Sequence, residues 1–295
     1  MRRSVFLVVL VALPAFCGAA RAGTYRAFGA PQAVTIEGYS GSATEPFITR
    51  DGDYLLFNTS NVAPNIPSLQ FATRVNADTF EYQGPILGEG VNVAEALSGT
   101  PTLDQEGELY FVSNRSYAQT LSTIYSGQFS AGLVTGVHLV PGVSDETPGV
   151  VDFDVEAGAD GEALYVSVGH FESDGVGPTS AGLELFEKVG DSFVVASGSV
   201  KLLRKVNRAG QLDYAASISA NELELFFTRA SPALGQGPEI YRATRSSAGR
   251  PFGHVQRVAA ITGFAEAPSI SADGTTLYYH ELVGDTYEIE SVSRP

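Results

Sequence analysis

Short runs in which apolar and polar residues alternate, each bounded by Gly, Pro, Asp or Asn, fill the chain from Gly23 to its end. Such period-two patterning, rich in Val, Leu, Tyr and Phe, predicts β-strands with one buried face, and paired runs around an acidic or Gly-containing step predict hairpins. "EPFITRDGDYLLFNTSN" (Glu45 to Asn61), "TPTLDQEGELYFVSNR" (Thr100 to Arg115), "AASISANELELFFTRA" (Ala215 to Ala230) and "EAPSISADGTTLYYHE" (Glu266 to Glu281) follow one plan. Each carries a small residue or Pro, an alternating strand, a turn, and a second strand of Leu, Tyr and Phe. Asp51-Gly52, Glu106-Gly107 and Asp273-Gly274 stand where a tight hairpin needs positive φ, so they are read as turns.

The copies align on Pro46, Pro101, Ala216 and Pro268, evenly apart from one double step. A lengthened copy, "VDFDVEAGADGEALYVSVG" (Val151 to Gly169), fills that step, so five units span the chain. A third strand follows each hairpin, as in "SLQFATRV", "EIYRATR" and "YEIESVSR", and a fourth follows in all units except the last. The segment "FGAPQAVTI" (Phe28 to Ile36) matches the fourth strand "FGHVQRVAAI" (Phe252 to Ile261) in spacing and lies ahead of the first unit. Supplying the missing strand from the N-terminus closes a ring without an open edge. The expected fold is all-β: one β-propeller of five four-stranded blades, with six blades as the alternative. Helix is almost absent from the pattern; "NVAEALS" near Asn92 offers one or two turns, and the basic run Lys201 to Arg208 reads as a strand edge or connector.

Charge and the N-terminus narrow the setting. Arg2 and Arg3 precede an apolar run from Val5 to Phe16, and Ala20-Arg21-Ala22 follows, the layout of a secretory signal peptide over residues 1–22 with the domain at 23–295. The run is about half the ~20 residues of a membrane span, and no later stretch approaches that length, so no transmembrane segment is expected. The protein is therefore expected to be exported, to the periplasm or the extracellular space. Phe16 ahead of Cys17 argues against a lipid anchor there; without Cys17 the exported chain has no cysteine and no disulfide. A formal net charge of −15 argues against nucleic-acid or anionic-membrane partners, which need a basic face.

The residues of "APSISADGTTLYYHE", "TPTLDQEGELYFVSNR" with its Ser113-Asn114-Arg115 ending, and "AASISANELELFFTRA…EIYRATR" resemble TolB-like, or WD40-like, propeller repeats, although the chain has no Trp. The resemblance runs from Glu45 to Arg294 and is weakest in the third unit. It implies the propeller fold and is nearly silent on function, because such repeats occur in exported accessory proteins, binding platforms and propellers attached to peptidases. Propeller geometry places the entries to the inner strands and the loops between second and third strands on one face, opposite the Asp-Gly turns. Binding is expected on that face. Glu45, Glu146, Asp152, Asp213 and Glu266 stand at those entries and would ring the channel mouth, where carboxylates could hold a Ca²⁺ ion. The loops Gly169 to Gly182 and Thr228 to Glu239 would wall it. Of the four histidines, His170 and His280 each follow a second strand and join the candidate ligand-binding set.

No catalytic constellation emerges: there is no G-x-S-x-G elbow, no phosphate-cradling loop and no metal-ligand spacing of histidines. No cofactor is expected beyond the possible calcium. The expected function is a non-catalytic binding or scaffold module for a protein, peptide or glycan. The alternative is a carbohydrate-active hydrolase or lyase using mouth carboxylates.

Overall fold

The computed structural model describes residues 26–60, 65–144, 146–172 and 177–295. The proposed signal peptide and Cys17 lie outside the described residues. Two short N-terminal strands, β1 (Gln32–Ala33) and β2 (Thr35–Glu37), precede five antiparallel groups. The first holds β3 (Ala43–Ile48), β4 (Tyr54–Thr59), β5 (Leu69–Arg74) and β6 (Thr79–Pro85). The second holds β7 (Ser98–Leu103), β8 (Glu108–Ser113), β9 (Ile124–Ser130) and β10 (Leu133–Leu139), with helix α1 (Tyr117–Thr120) between β8 and β9. The third comprises β11 (Val150–Ala157), β12 (Ala163–His170), β13 (Ser180–Val189) and β14 (Ser192–Val195), followed by helix α2 (Ser199–Leu203). The fourth comprises β15 (Leu212–Ile218), β16 (Glu224–Ser231), β17 (Gln236–Thr244) and β18 (Gly253–Arg257). The last has β19 (Ala265–Ile270), β20 (Thr276–Val283) and β21 (Thr286–Ser293).

The first strands of the groups are joined side by side by one repeated bond. Thr102 Oγ1 accepts from the Ala157 N–H, Glu156 Oε1 from Ile218, Ser217 Oγ from Ile270 and Ser269 Oγ from Ile48. Apolar side chains fill the spaces between groups, with Leu55, Phe57, Phe111, Leu225, Phe227 and Tyr279 fully buried. This is a β-propeller.

The N-terminal segment serves two groups. Gln32 and Ala33 pair antiparallel with Ser291 and Glu290 of β21, giving the last group its fourth strand, while Thr35–Glu37 cross over and run parallel to β6. The expected closing strand is thus shorter than Phe28 to Ile36. Phe28 nevertheless plays a fourth-strand part. Arg74, the last residue of its third strand, and Arg245 and Arg294, one residue beyond theirs, bond the hairpin-turn carbonyls of Gly52, Glu222 and Gly274. Their guanidinium carbons stand 4.6, 4.4 and 4.7 Å from the ring centres of Phe80, Phe252 and Phe28. Each also reaches the preceding group: Arg74 bonds Tyr278 Oη, Arg245 bonds Tyr165 Oη and Arg294 bonds Glu224.

Three local expectations change. Lys201 to Arg208 is a connector but not a strand edge: α2 and the turns after it bury Leu203 and Val206. Asn92 begins no helix; it sits at φ 34° and its side chain ties Leu69 to Ile86. The supposed loop from Thr228 to Glu239 is mostly strand, because β16 and β17 extend into it and leave a single 3₁₀ turn at Pro232–Leu234. No helix among the described residues is long and apolar enough to cross a membrane.

Candidate functional site

Each first strand except β11 carries a non-glycine residue in the left-handed region: Glu45, Thr100, Ala215 and Ala267 have φ of 50°, 50°, 50° and 51°. The register breaks there in a bulge, which turns the freed N–H toward the preceding group. A side chain from that group's second strand always accepts it. Asn58 takes the N–H of Thr100, Ser167 that of Ala215, Thr228 that of Ala267, and His280 that of Glu45.

Three junctions meet this backbone demand with the small acceptors Asn, Ser and Thr. The junction between the last and first groups uses a histidine, and a carboxylate occupies the strained position itself. His280 Nδ1 accepts from Glu45, 3.1 Å away, so the neutral ring carries its proton on Nε2, which faces Glu266 Oε2 at 3.5 Å. The Tyr214 hydroxyl donates to the other oxygen of Glu266. This histidine is 1% exposed, whereas the Glu266 side chain is 19% exposed.

The carboxyls here are driven apart. Burial pushes Glu45 up to about 8, His280 opposing and Asp154 and Glu266 adding to it. Burial, then the charge of Glu156, holds Asp154 well above the usual carboxylate range. For Glu266 burial acts upward, but the hydrogen bond and charge from His280 and the Tyr214 hydroxyl keep it below its usual value. Burial by itself would lower His280, and the hydrogen bond to Glu266 raises it. Near neutral pH the site therefore holds a protonated Glu45 beside an ionised Glu266.

Partly exposed aromatic rings continue this cluster. Phe171 packs on Phe153 at 5.5 Å, Phe153 on Tyr214 at 5.9 Å, His280 on Tyr287 at 5.3 Å and Tyr287 on Phe264 at 6.3 Å. Below them the channel is filled. The void among Glu45, Thr100, Asp154, Glu156, Ala215 and Ala267 measures about 20 Å³, room for about one water. Toward the hairpin turns Arg50 crosses from the first group to the Ala157 carbonyl and Glu156 of the third and the Ile218 carbonyl of the fourth.

The remaining candidates lie elsewhere. Asp213 is fully buried against Arg229 Nε, 2.6 Å away, and the Arg208 N–H. Asp152 is buried on β11, and its carbonyl accepts from Thr123. Glu146 and His170 are exposed, the latter beside Thr179. Glu45, Glu266 and His280 meet at one junction, and the five acids form no single ring. Among the described residues no three His, Cys, Asp or Glu side chains are grouped as a metal site. The sequence reading missed Asp154, Glu156, Tyr214 and Arg50. Glu156 carried a signal: an acid inside the alternating run "VDFDVEA", at a position where the other units have Phe, Thr or Ser.

No protein-family model and no curated protein matches the chain. Among solved structures it is similar to BT0996 in an RGII complex (12% identity, 92% of this chain and 92% of that one, TM-score 0.58). It is similar also to an endo-arabinase from Bacteroides thetaiotaomicron VPI-5482 (11% identity, 90% of this chain and 98% of that one, TM-score 0.56). TolB from Acinetobacter baumannii matches at 14% identity with a TM-score of 0.47 over 86% of this chain, which spans about half, 55%, of that TolB. At these identities the likeness is one of fold.

Proposed function

We propose that the protein is an exported, non-catalytic binding propeller that holds a carbohydrate over the channel mouth. The observation that carries this reading is the last–first junction. There the repeated backbone bond is made by His280 instead of a small acceptor, and Glu45, Glu266 and Tyr214 join it beneath half-exposed rings. Aromatic faces offer apolar surface to the C–H faces of a sugar, while an ionised carboxylate and a neutral one present an acceptor and a donor to its hydroxyls. The filled channel leaves the ligand lying across the mouth. The test is affinity electrophoresis against a panel of neutral polysaccharides. Retardation by at least one, weakened tenfold or more by Tyr287→Ala and by Glu266→Gln, is expected; no retardation by any of them overturns the reading.

The hydrolase reading rests on a different observation. Glu45, pushed up to about 8, beside Glu266, held ionised, matches the division between proton donor and carboxylate that glycoside hydrolysis uses. Release of reducing ends that Glu45→Gln abolishes would replace binding by hydrolysis. Unchanged polysaccharide after prolonged incubation leaves binding as the function.

A further inference from the structure

A second concavity opens at the same junction. It has a volume of about 680 Å³, within the roughly 300–1,000 Å³ of sites that take small molecules. The connection into β3 and the β20–β21 turn wall it, with Tyr39, Ser42 and Thr59 on one side and Asp285 and Tyr287 on the other. The two walls are tied together where the Tyr287 N–H donates to Ser42 Oγ, 3.2 Å away. Tyr287 belongs to both places: its ring lines the groove and also packs on His280 at the mouth. Tyr39 is held in position from below, edge-on to Phe57 at 5.1 Å, with its hydroxyl bonded to the Ser42 carbonyl.

The lining has a distinct chemistry. Hydroxyls and an amide group from Ser42, Thr59 and Asn65 line it together with the tyrosine rings, and among the described residues of the lining the single charged one is Asp285. Among the described residues no lysine or arginine lines the groove, and none takes part in the Glu45, Glu266 and His280 cluster. An anionic ligand would meet Asp285 at one end and ionised Glu266 at the other with no lysine or arginine beside either among the described residues, a repulsive arrangement that selects against it.

We infer that the groove and the mouth form one continuous site for an uncharged linear oligosaccharide. The groove takes the residues beyond the one held at Glu266, and chains of uronic acids are rejected. This inference rests on the carbohydrate reading and specifies its ligand.

The full exported protein is titrated calorimetrically with neutral series of two to six residues (cello-, xylo- and arabino-oligosaccharides) and with oligogalacturonides of the same lengths. For one neutral series, affinity is expected to rise at least tenfold between two and five residues, and oligogalacturonides are expected to bind at least tenfold more weakly. Asp285→Lys alters an exposed turn residue, and with an unchanged melting temperature as its control it is expected to raise oligogalacturonide affinity at least tenfold at low salt. Tyr39→Ala is expected to flatten the dependence on length, read as at least a tenfold fall in the ratio of five-residue to two-residue affinity within that variant. Neutral glycans that bind with no dependence on length, or oligogalacturonides that bind equally well, overturn the inference and leave the carbohydrate reading standing. Binding of none of these glycans, or of short neutral peptides in their place, overturns both.

Discussion

At the scale of single residues, position in the repeated frame separates what the backbone demands from what it does not. Asn58, Ser167 and Thr228 show that the bulged N–H needs one small acceptor. His280 supplies that acceptor and brings a second nitrogen to Glu266, which the backbone does not ask for. Glu45 likewise fills a strained position that Ala occupies twice, and an acid there costs stability once it ionises. Folded Glu45 keeps its proton up to about pH 8, while the unfolded chain releases it near the ordinary value of about 4.5. The folded state thus binds more protons across that window, and stability falls as pH rises through it. Glu45→Gln should therefore gain stability over the parent as pH goes from 5 to 8, by up to about 1.4 kcal/mol per pH unit. Urea denaturation at several pH values measures it; parallel curves for the two proteins would remove Glu45 as the source.

At the scale of elements, the N-terminal segment is the part with most consequence for so short a pairing. Two residues pair with β21, the Gly29 and Val34 N–H groups bond Ser293 and Ile289, and Phe28 lies beneath Arg294 and edge-on to Phe226. Deleting Phe28 to Ile36 would strip β21 of its neighbour and leave an eight-residue edge open to other chains. Aggregation or failure to fold is expected in size-exclusion chromatography. A stable monomer would show that the last group does not need this strand. The spacing shared by "FGAPQAVTI" and "FGHVQRVAAI" made this pairing legible in the sequence. What it could not reveal was the crossing of Thr35–Glu37 to the first group, because a parallel pairing with β6 leaves no mark on the period-two pattern.

At the scale of the whole molecule, Arg50 holds together groups that the chain order keeps far apart. It links the first group to the third and fourth across the channel, and its partner Glu156 is 3% exposed. Glu156 also accepts from Thr102, Ser217 and the Ile218 N–H, so three groups converge on one carboxylate. Arg50→Ala leaves that buried charge without its cation and should cost about 3 kcal/mol. A shift in the guanidinium midpoint at unchanged slope would register it; a change below about 0.5 kcal/mol would mean that the neutral donors suffice. Closing the channel near its centre also directs any ligand to the surface, where the mouth and the groove beside Tyr287 lie next to each other.

The sequence alone determined the β-propeller, since the period-two runs, the turn residues and their recurrence are local and need no knowledge of distant contacts. The hairpin turns at Asp51-Gly52 and Asp273-Gly274 were legible for the same reason, and there Gly52 and Gly274 take φ of 79° and 72°. The candidate site was legible in part. Glu45, Glu266 and His280 could be placed at strand entries or ends, but so could Asp213, whose carboxylate turns to Arg229, and Glu146, which stays in solvent. Only the tertiary structure decided which acids face one another, because that depends on the direction of each side chain at the bulge and on partners from groups many residues away. It also decided their protonation: burial and neighbouring charge are properties of the assembled ring, and no single strand carries them.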